Sequence, residues 1–296
     1  MRRLASRGGF TLAAVLAVAG GAGCGPSDPQ LTEGTLRVVG SDAAKPMVSA
    51  AADSFAGSYK RARISVEGGG TVVGLEELIN RQADVAVLSR EPLEAEKAAA
   101  EEVGVEIALY AFAKDGLAIV VHRDNPVYAL AFGEARAVFT GATRDWAELG
   151  GQPGRIRVYV SGVQSGAWGF VQKKLLDEAP FVEGAGRAPT TAAVVDSVAA
   201  HEDAIGFAGM AELDERVKAL PISPPDGGPL KVLNVDTVYR KEYPLVRVFY
   251  FGTRGIPRDN LVSGFISFVM STPGQRIVLD AGFVPATVLL RIKREE

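Results

Sequence analysis

Short apolar segments typical of β-strands alternate along this chain with longer segments of helical spacing. Strands are predicted at residues 35–39, 63–66, 85–88, 117–121, 158–160 and 246–251, and helices at 43–59, 72–81, 93–103, 167–176, 192–201 and 261–271. Strands and helices that alternate in this way form a mostly parallel sheet with helices on both faces. The sequence therefore predicts an α/β protein, and 296 residues are enough for two lobes.

The turns that follow three of these strands are rich in glycine and hydroxyl groups. They lie at residues 40–42, 68–71 and 161–166. Glycine lets a backbone approach a ligand closely, and a helix N-terminus carries free amide groups and partial positive charge. Because ligands of α/β proteins sit at the carboxyl ends of strands, three such turns would together form an anion site. Taken singly, each turn is equally typical of an ordinary helix cap.

Charge and composition argue against several other kinds of protein. The 35 acidic residues outnumber the 32 basic residues, so no nucleic-acid surface is predicted. Two histidines and one cysteine leave little room for a metal site and exclude an internal disulfide. No apolar run is long enough to cross a bilayer as a helix. We therefore expect a soluble body with no metal and no cofactor.

The first 23 residues have the pattern of an export signal. Three arginines are their only charges, residues 10–19 are apolar, and small residues follow. Cys24 comes next, where a bacterial lipoprotein signal places the cysteine that becomes lipidated, although Gly21 stands where leucine is usual. The alternative is an ordinary signal peptide with an incidental cysteine. We expect an exported lipoprotein of the periplasm or cell surface, with residues 1–23 as signal peptide, Cys24 as membrane anchor and residues 24–34 as lipidated cysteine and tether.

Motifs found in order along the rest of the chain are more specific than any single turn. They comprise residues 40–41 with Pro46, then 68–71, 83–90, 115–121, 125–127, 138–141 with 145–146, 165–166, 204–207, 243–245, 274–275 and 282–285. In these motifs the chain resembles the substrate-binding proteins of phosphate-specific ABC transporters, which are periplasmic binding proteins. Val138-Phe139-Thr140-Gly141 followed by Asp145-Trp146 is among the most recognisable stretches.

The resemblance implies a two-lobed fold of type II-like architecture, with two mixed sheets flanked by helices and a hinged cleft between the lobes. Lobe one would comprise residues 35–114 and 243–296, and lobe two residues 115–242. The resemblance also implies that a monomer captures inorganic phosphate, or a similar oxyanion, in this cleft and delivers it to an ABC transporter permease. It implies no enzymatic activity.

The resemblance further implies a set of ligand-binding residues in four loops. They are Ser41, Asp42, Gly70, Thr71, Ser89, Arg90, Ser161, Ser165 and Gly166.

The chain departs from the family at four of the matched positions. It has Asp42 where threonine is usual, Thr71 where serine is usual, Ser161 where arginine is typical, and Ala167 where threonine is typical. Serine cannot supply the charged, bidentate contact of an arginine.

Two charged residues of this set have alternative interpretations. Arg90 is predicted to be the cation of the site, the alternative being a surface ion pair with Glu91 or Glu94. Asp42 is predicted to accept a hydrogen bond from a protonated oxyanion such as phosphate and so to disfavour sulfate. The alternative for Asp42 is that it caps the following helix.

Two other functions remain open. A serine hydrolase would use Ser165 with His122 or His201 as its base. However, the glycine of a nucleophile elbow is missing two residues before Ser165. The serine at position 161 also fits a sensing or interaction protein of the same fold that has lost phosphate transport. Trp146 and Trp168 are predicted to be packing residues.

Overall fold

The computed structural model describes residues 29–258 and 260–286. The predicted signal peptide and Cys24 lie outside the described residues. The α-helices are α1 (Pro29–Thr32), α2 (Lys45–Ser58), α3 (Gly70–Ile79), α4 (Glu94–Glu102), α5 (Phe132–Thr140), α6 (Gly166–Lys174), α7 (Thr191–Ala199), α8 (Val235–Tyr239), α9 (Leu261–Met270) and α10 (Thr272–Asp280).

The β-strands follow the same alternation. They are β1 (Gly34–Gly40), β2 (Ala62–Glu67), β3 (Val85–Leu88), β4 (Ile107–His122), β5 (Arg157–Ser161), β6 (Gly186–Ala188), β7 (Ala204–Gly209), β8 (Val217–Leu220), β9 (Val246–Arg254) and β10 (Val284–Pro285). Two short 3-10 helices lie at Trp146–Leu149 and Met210–Glu212.

The strands form two sheets that share β4. The first has the order β2-β1-β3-β9-β4-β10, and the second has the order β8-β4-β7-β5-β6. The pairs β1–β2, β1–β3, β5–β6 and β5–β7 are parallel, whereas every pairing of β4 and β9 is antiparallel. The predicted fold class of mixed sheets with flanking helices is therefore confirmed. The expectation of a mostly parallel sheet, drawn from alternation alone, is corrected by the antiparallel pairings of β4 and β9.

Strand β4 is much longer than predicted. Its first part, 107–116, pairs with β9, and its last part, 117–122, pairs with β7 and β8. Only 117–121 was predicted, because Lys114, Asp115 and Gly116 interrupt the apolar run. The strand passes through both sheets without a break.

Each sheet has its own main apolar core. Phe55, Phe112, Phe249, Phe251 and Phe265 are fully buried in the core of the first sheet. The core of the second sheet contains Trp146, as predicted, together with Phe139 and Phe207. The proposed lobe boundaries remain a prediction. The first part of the shared strand β4 contributes to one core and its last part to the other.

The first described residues form a short helix where a tether was predicted. Residues 29–32 fall in the predicted tether, yet they form α1, which packs against α9. The carbonyl of Leu31 lies so close to Gly264 that any side chain at position 264 would overlap it. Within the tether predicted over 24–34, residues 29–32 are therefore part of the folded body.

Candidate functional site

A cavity of about 470 Å³ lies where the N-termini of four helices meet. Its wall includes residues 41–43 before α2, 69–70 at α3, 165–166 at α6 and 190–191 at α7. These helices are 14, 10, 9 and 9 residues long. Each has free amide groups and partial positive charge at its first turn, so their convergence makes the cavity suitable for an anion.

The sequence predicted the first three of these N-termini but not the fourth. Thr190 is the N-cap of α7, and its hydroxyl oxygen accepts a hydrogen bond from the amide of Ala193 at 3.1 Å. The signal was present in the sequence, because Pro189-Thr190-Thr191 precedes an apolar helical segment, and threonine is a favoured N-cap residue.

Loops of the two sheets touch at one side of this cavity. A Cβ on Gly166 would overlap the hydroxyl of Ser89 and lie 2.5 Å from Thr71 Oγ1. Gly70 has a φ of +87°, and a Cβ there would lie 2.6 Å from the carbonyl oxygen of Gln164. Glycine is therefore required at both positions for the two loops to approach this closely.

Three hydroxyl groups are held in place beside the helix N-termini. Thr71 Oγ1 lies 3.1 Å from Ser89 Oγ and accepts a hydrogen bond from the Ser89 amide, also at 3.1 Å. Both residues are buried. Ser165 Oγ accepts a hydrogen bond from the amide of Ala167 at 3.2 Å as the N-cap of α6. Because Ser165 uses only its acceptor for the cap, its proton remains available to a ligand.

Asp42 joins two loops at the cavity wall. Its Oδ1 accepts a hydrogen bond from the amide of Gly69 at 3.1 Å. Helix α2 begins at Lys45, and its N-cap, Ala44, makes no side-chain cap. The alternative that Asp42 merely caps α2 is therefore not what the structure shows. Within the described chain, Asp42 Oδ2 forms no hydrogen bond.

Six of the nine predicted ligand-binding residues line the cavity: Ser41, Asp42, Gly70, Ser89, Ser165 and Gly166. Thr71 is not part of the wall, but its hydroxyl contacts that of Ser89, which is. Ser161 is fully buried at the end of β5, outside the wall, and its Oγ has no hydrogen-bond partner in the described part of the chain. The ligand-binding role of these residues remains a prediction.

Arg90 does not line this cavity. Its Nη1 and Nη2 each donate a hydrogen bond of 2.7 Å to the carboxylate of Glu96, and it faces a neighbouring cavity instead. Burial opposes the ionisation of Glu96, but hydrogen bonds from Arg90 and the Leu93 amide outweigh it and lower the pKa of that carboxyl. The prediction that Arg90 is the cation of the site is corrected. The alternative, an ion pair with Glu91 or Glu94, is also corrected, because the side-chain partner is Glu96.

Two arginines that the sequence analysis missed do line the cavity. Arg187, on β6, is exposed, and its guanidinium carbon lies 5.0 Å from the centre of the Trp168 ring. Arg247, on β9, is 2 % exposed. Trp168 packs against Phe181 as a packing residue should, with ring centres 4.2 Å apart, but it also contacts Arg187.

Arg247 belongs to a buried charged cluster at the junction of the sheets. Its Nε and Nη2 donate hydrogen bonds of 2.9 and 2.7 Å to Asp115 Oδ2. Glu212 accepts hydrogen bonds from the hydroxyl of Thr191 and the amide of Gly209, both at 2.8 Å. Burial raises the pKa of both carboxyls, although Arg247 opposes the rise in each case. The cluster therefore reaches the cavity wall directly through Arg247 and, by the hydrogen bond to Glu212, through Thr191.

The histidines do not form a hydrolytic pair with Ser165. His122 Nδ1 accepts a hydrogen bond from the amide of Asp124 at 3.2 Å. His201 Nδ1 lies 2.9 Å from the carbonyl oxygen of Ser197. Over residues 29–258 and 260–286, neither ring forms a hydrogen bond with Ser165.

The described residues show neither a metal cluster nor a membrane-spanning helix. Over residues 29–258 and 260–286, no group of three or more metal-binding side chains is present. In the same residues, no helix combines the length and apolar character needed to span a bilayer.

Comparison with known proteins matches the chain to a family. Residues 26–273 match a family described as a PBP superfamily domain. The chain is 30% identical to the phosphate-binding protein PstS of Bacillus subtilis, with 86% of this chain and 81% of the relative covered. It is 27% identical to the protein of the same name from Pseudomonas aeruginosa, with 93% and 94% covered.

Solved structures share the fold. A phosphate ABC transporter substrate-binding protein from Clostridium perfringens, solved with bound phosphate, superposes with a TM-score of 0.75 at 23% identity, over 86% of this chain and all of that one. A phosphate transport receptor from Vibrio cholerae superposes with a TM-score of 0.70 at 22% identity, over 84% and 99% of the two chains. The chain therefore belongs to the PBP superfamily and, within it, to the family of phosphate ABC transporter substrate-binding proteins.

Proposed function

We propose that the chain is an extracytoplasmic receptor that captures phosphate, or a related tetrahedral oxyanion, in this cavity and delivers it to an ABC importer. The observation that carries the proposal is the meeting of four helix N-termini and several fixed hydroxyl groups around one cavity. Because its family consists of transport receptors, the chain is a binding protein and not an enzyme.

The proposed contacts come from the lining residues. Amide groups at the helix N-termini and the hydroxyls of Ser41, Ser89 and Ser165 donate to the anion oxygens, and each such donor replaces a water molecule lost on binding. Thr71 holds Ser89 in position. Asp42 accepts a hydrogen bond from the ligand, which requires a ligand that keeps a proton. Phosphate keeps one at neutral pH, whereas sulfate does not.

The proposed mechanism is closure of two lobes over the anion. Lobe one comprises residues 35–114 and 243–296, lobe two comprises residues 115–242, and β4 with the entry into β9 forms the hinge. The contact of Gly166 with Ser89 and Thr71 lies between these lobes, so it belongs to the closed form. Closure excludes water and strengthens each hydrogen bond to the ligand.

Binding of an anion by the folded protein alone must raise its unfolding temperature. The test is thermal unfolding of residues 25–296 with phosphate, sulfate, molybdate and phosphonates. We expect phosphate at 100 times its dissociation constant to stabilise the fold by about 2.7 kcal/mol. If no oxyanion raises the midpoint, the transport proposal is wrong and the sensing or interaction alternative takes its place.

We also propose that Cys24 anchors the exported protein to a membrane through lipid. The support is its position directly after the predicted signal peptide. Cys24→Ser should release the protein from the membrane fraction into the soluble fraction, because the acyl chains are lost. Mass spectrometry of the N-terminal peptide should show added lipid only in the unchanged protein. An unmodified Cys24 would leave an ordinary signal peptide as the explanation.

A further inference from the structure

The cavity needs a positive charge that two of the three nearby arginines are not free to supply. A phosphate dianion removed from water is strongly destabilised unless charged groups compensate it. Arg90 binds both carboxylate oxygens of Glu96, and Arg247 binds Asp115 through two of its nitrogens. Arg187, by contrast, forms no ion pair with any of the described residues and lines the cavity.

The position of Arg187 in the second sheet brings its charge to the same end of that sheet as Ser161. Strand β6 pairs in parallel with β5, and Arg187 stands opposite Val160, one residue before the end of β5 at Ser161. Ser161 itself is uncharged and buried. The neighbouring strand therefore provides a guanidinium where β5 provides none.

The side chain of Trp168 lies where it can hold this guanidinium beside the cavity. Trp168 is in the first turn of α6, the helix that begins at Gly166 and whose N-terminus forms part of the cavity wall. Its ring lies 5.0 Å from the guanidinium carbon of Arg187 and is itself packed against Phe181. A cation over an aromatic face is attracted to it, so the ring limits the positions that the guanidinium takes.

We propose that Arg187 is the charged ligand of the bound oxyanion and that Trp168 is its positioning residue. This inference rests on the proposed function. It assigns the cation of the site to β6 and explains how this chain binds an anion with serine at the end of β5.

The test is calorimetric titration with phosphate of the unchanged protein and of Arg187→Gln, at low and at moderate salt. A charged, bidentate contact is strong, so Arg187→Gln should weaken binding about tenfold to a hundredfold and reduce the salt dependence of the affinity. Arg187→Lys should give an intermediate loss, because lysine keeps the charge but not the fork. Since Arg187 is exposed, the unfolding temperature without phosphate should stay unchanged in all variants.

Arg155→Gln is the matched control. Arg155 is an exposed arginine two residues before β5 that lines a different cavity, so its loss should leave phosphate affinity unchanged. Trp168→Leu should weaken binding severalfold in the unchanged protein and have no further effect in Arg187→Gln. An equal effect in both backgrounds would show that Trp168 acts through packing and not through Arg187.

The outcomes separate the inference from the proposed function. If the unchanged protein binds phosphate and Arg187→Gln binds it equally well, with the same salt dependence, the assignment of Arg187 is overturned while the proposed function stands. If the unchanged protein binds no phosphate, the proposed function fails and the inference fails with it.

Discussion

Asp42 places a carboxylate beside a cavity whose other groups are mainly hydrogen-bond donors. A carboxylate repels an anion unless a proton lies between them. Asp42 Oδ1 already accepts a hydrogen bond from the Gly69 amide. Oδ2 is therefore the oxygen that would accept the proton of a protonated ligand and repel an unprotonated one. At the residue scale, the proposed selectivity among oxyanions therefore depends on one oxygen atom of Asp42.

Asp42→Asn should reduce the preference for phosphate over sulfate. The amide keeps an acceptor for the Gly69 amide and offers a donor to either anion, so the ratio of the two affinities should fall about tenfold or more. Calorimetry with each anion measures this ratio. The control is Asp53→Asn, on the exposed face of α2, which should leave the ratio unchanged. A constant ratio in Asp42→Asn would contradict the role of Asp42 as the discriminating acceptor.

The two arginines Arg90 and Arg187 show what a sequence does and does not reveal about a site. The position of Arg90 next to Ser89 was readable, but the pairing of its guanidinium with Glu96 depends on how α4 packs after the loop. Arg187 lies in a three-residue strand with no periodic signal. Its place in the cavity wall becomes visible only when β6 pairs with β5. Backbone turns were predictable, whereas the directions of long side chains were not.

Helix α6 brings its N-terminus against loops of the other sheet through Gly166. A side chain here would occupy the space of the Ser89 and Thr71 hydroxyls, both of which are buried and cannot move away cheaply. At the element scale, the close approach of α6 to α3 therefore depends on the absence of a Cβ atom at position 166.

Gly166→Ala should weaken phosphate binding at least about tenfold, because the added methyl keeps the proposed lobes apart and lost hydrogen bonds leave the anion partly unpaired. Titration calorimetry measures the affinity, and small-angle scattering measures whether phosphate still makes the protein more compact. Gly133→Ala in α5 is the control, since nothing lies within 4 Å of its added Cβ. Unchanged binding by Gly166→Ala would show that this contact is not part of the closed form.

At the same scale, the limits of an all-apolar strand were predicted more accurately than those of a strand that contains charged residues. Strand β3 was predicted with its observed limits, 85–88, because all four residues are apolar and buried. The first part of β4 was missed because Lys114 and Asp115 look like turn residues. Asp115 stays in the strand because Arg247, more than 130 residues later, pairs with it. A local pattern contains no information about such a distant partner.

The ion pair of Asp115 and Arg247 joins neighbouring strands of the first sheet, β4 and β9, in the interior of the molecule. The side chains are 0% and 1% exposed. Asp115 is on β4 where the strand leaves the first sheet, and Arg247 is near the start of β9. Burying both charges is costly, but once they are buried each depends on the other.

Asp115→Ala should lower the free energy of unfolding by about 3–5 kcal/mol, because the buried Arg247 then loses the carboxylate to which it donates two hydrogen bonds. Urea denaturation measures this loss. Replacing both residues, Asp115→Leu with Arg247→Met, should cost clearly less than Asp115→Ala alone. The control is Asp236→Ala, which breaks the exposed pair with Arg240 and should change stability little. A loss in Asp115→Ala no larger than in this control would contradict the stabilising role of the buried pair.

The pairing of β3 with β9 also determines when each half of the molecule is able to fold. Residues 85–88 are made early in synthesis, yet their antiparallel neighbour, residues 246–254, is made more than 150 residues later. A ribosome releasing this chain from its N-terminus would leave the first sheet with an unpaired edge until most of the polypeptide had emerged. The second sheet, which draws its strands from residues 117–220, has all of its strands before that partner arrives, so the half that begins first is completed last.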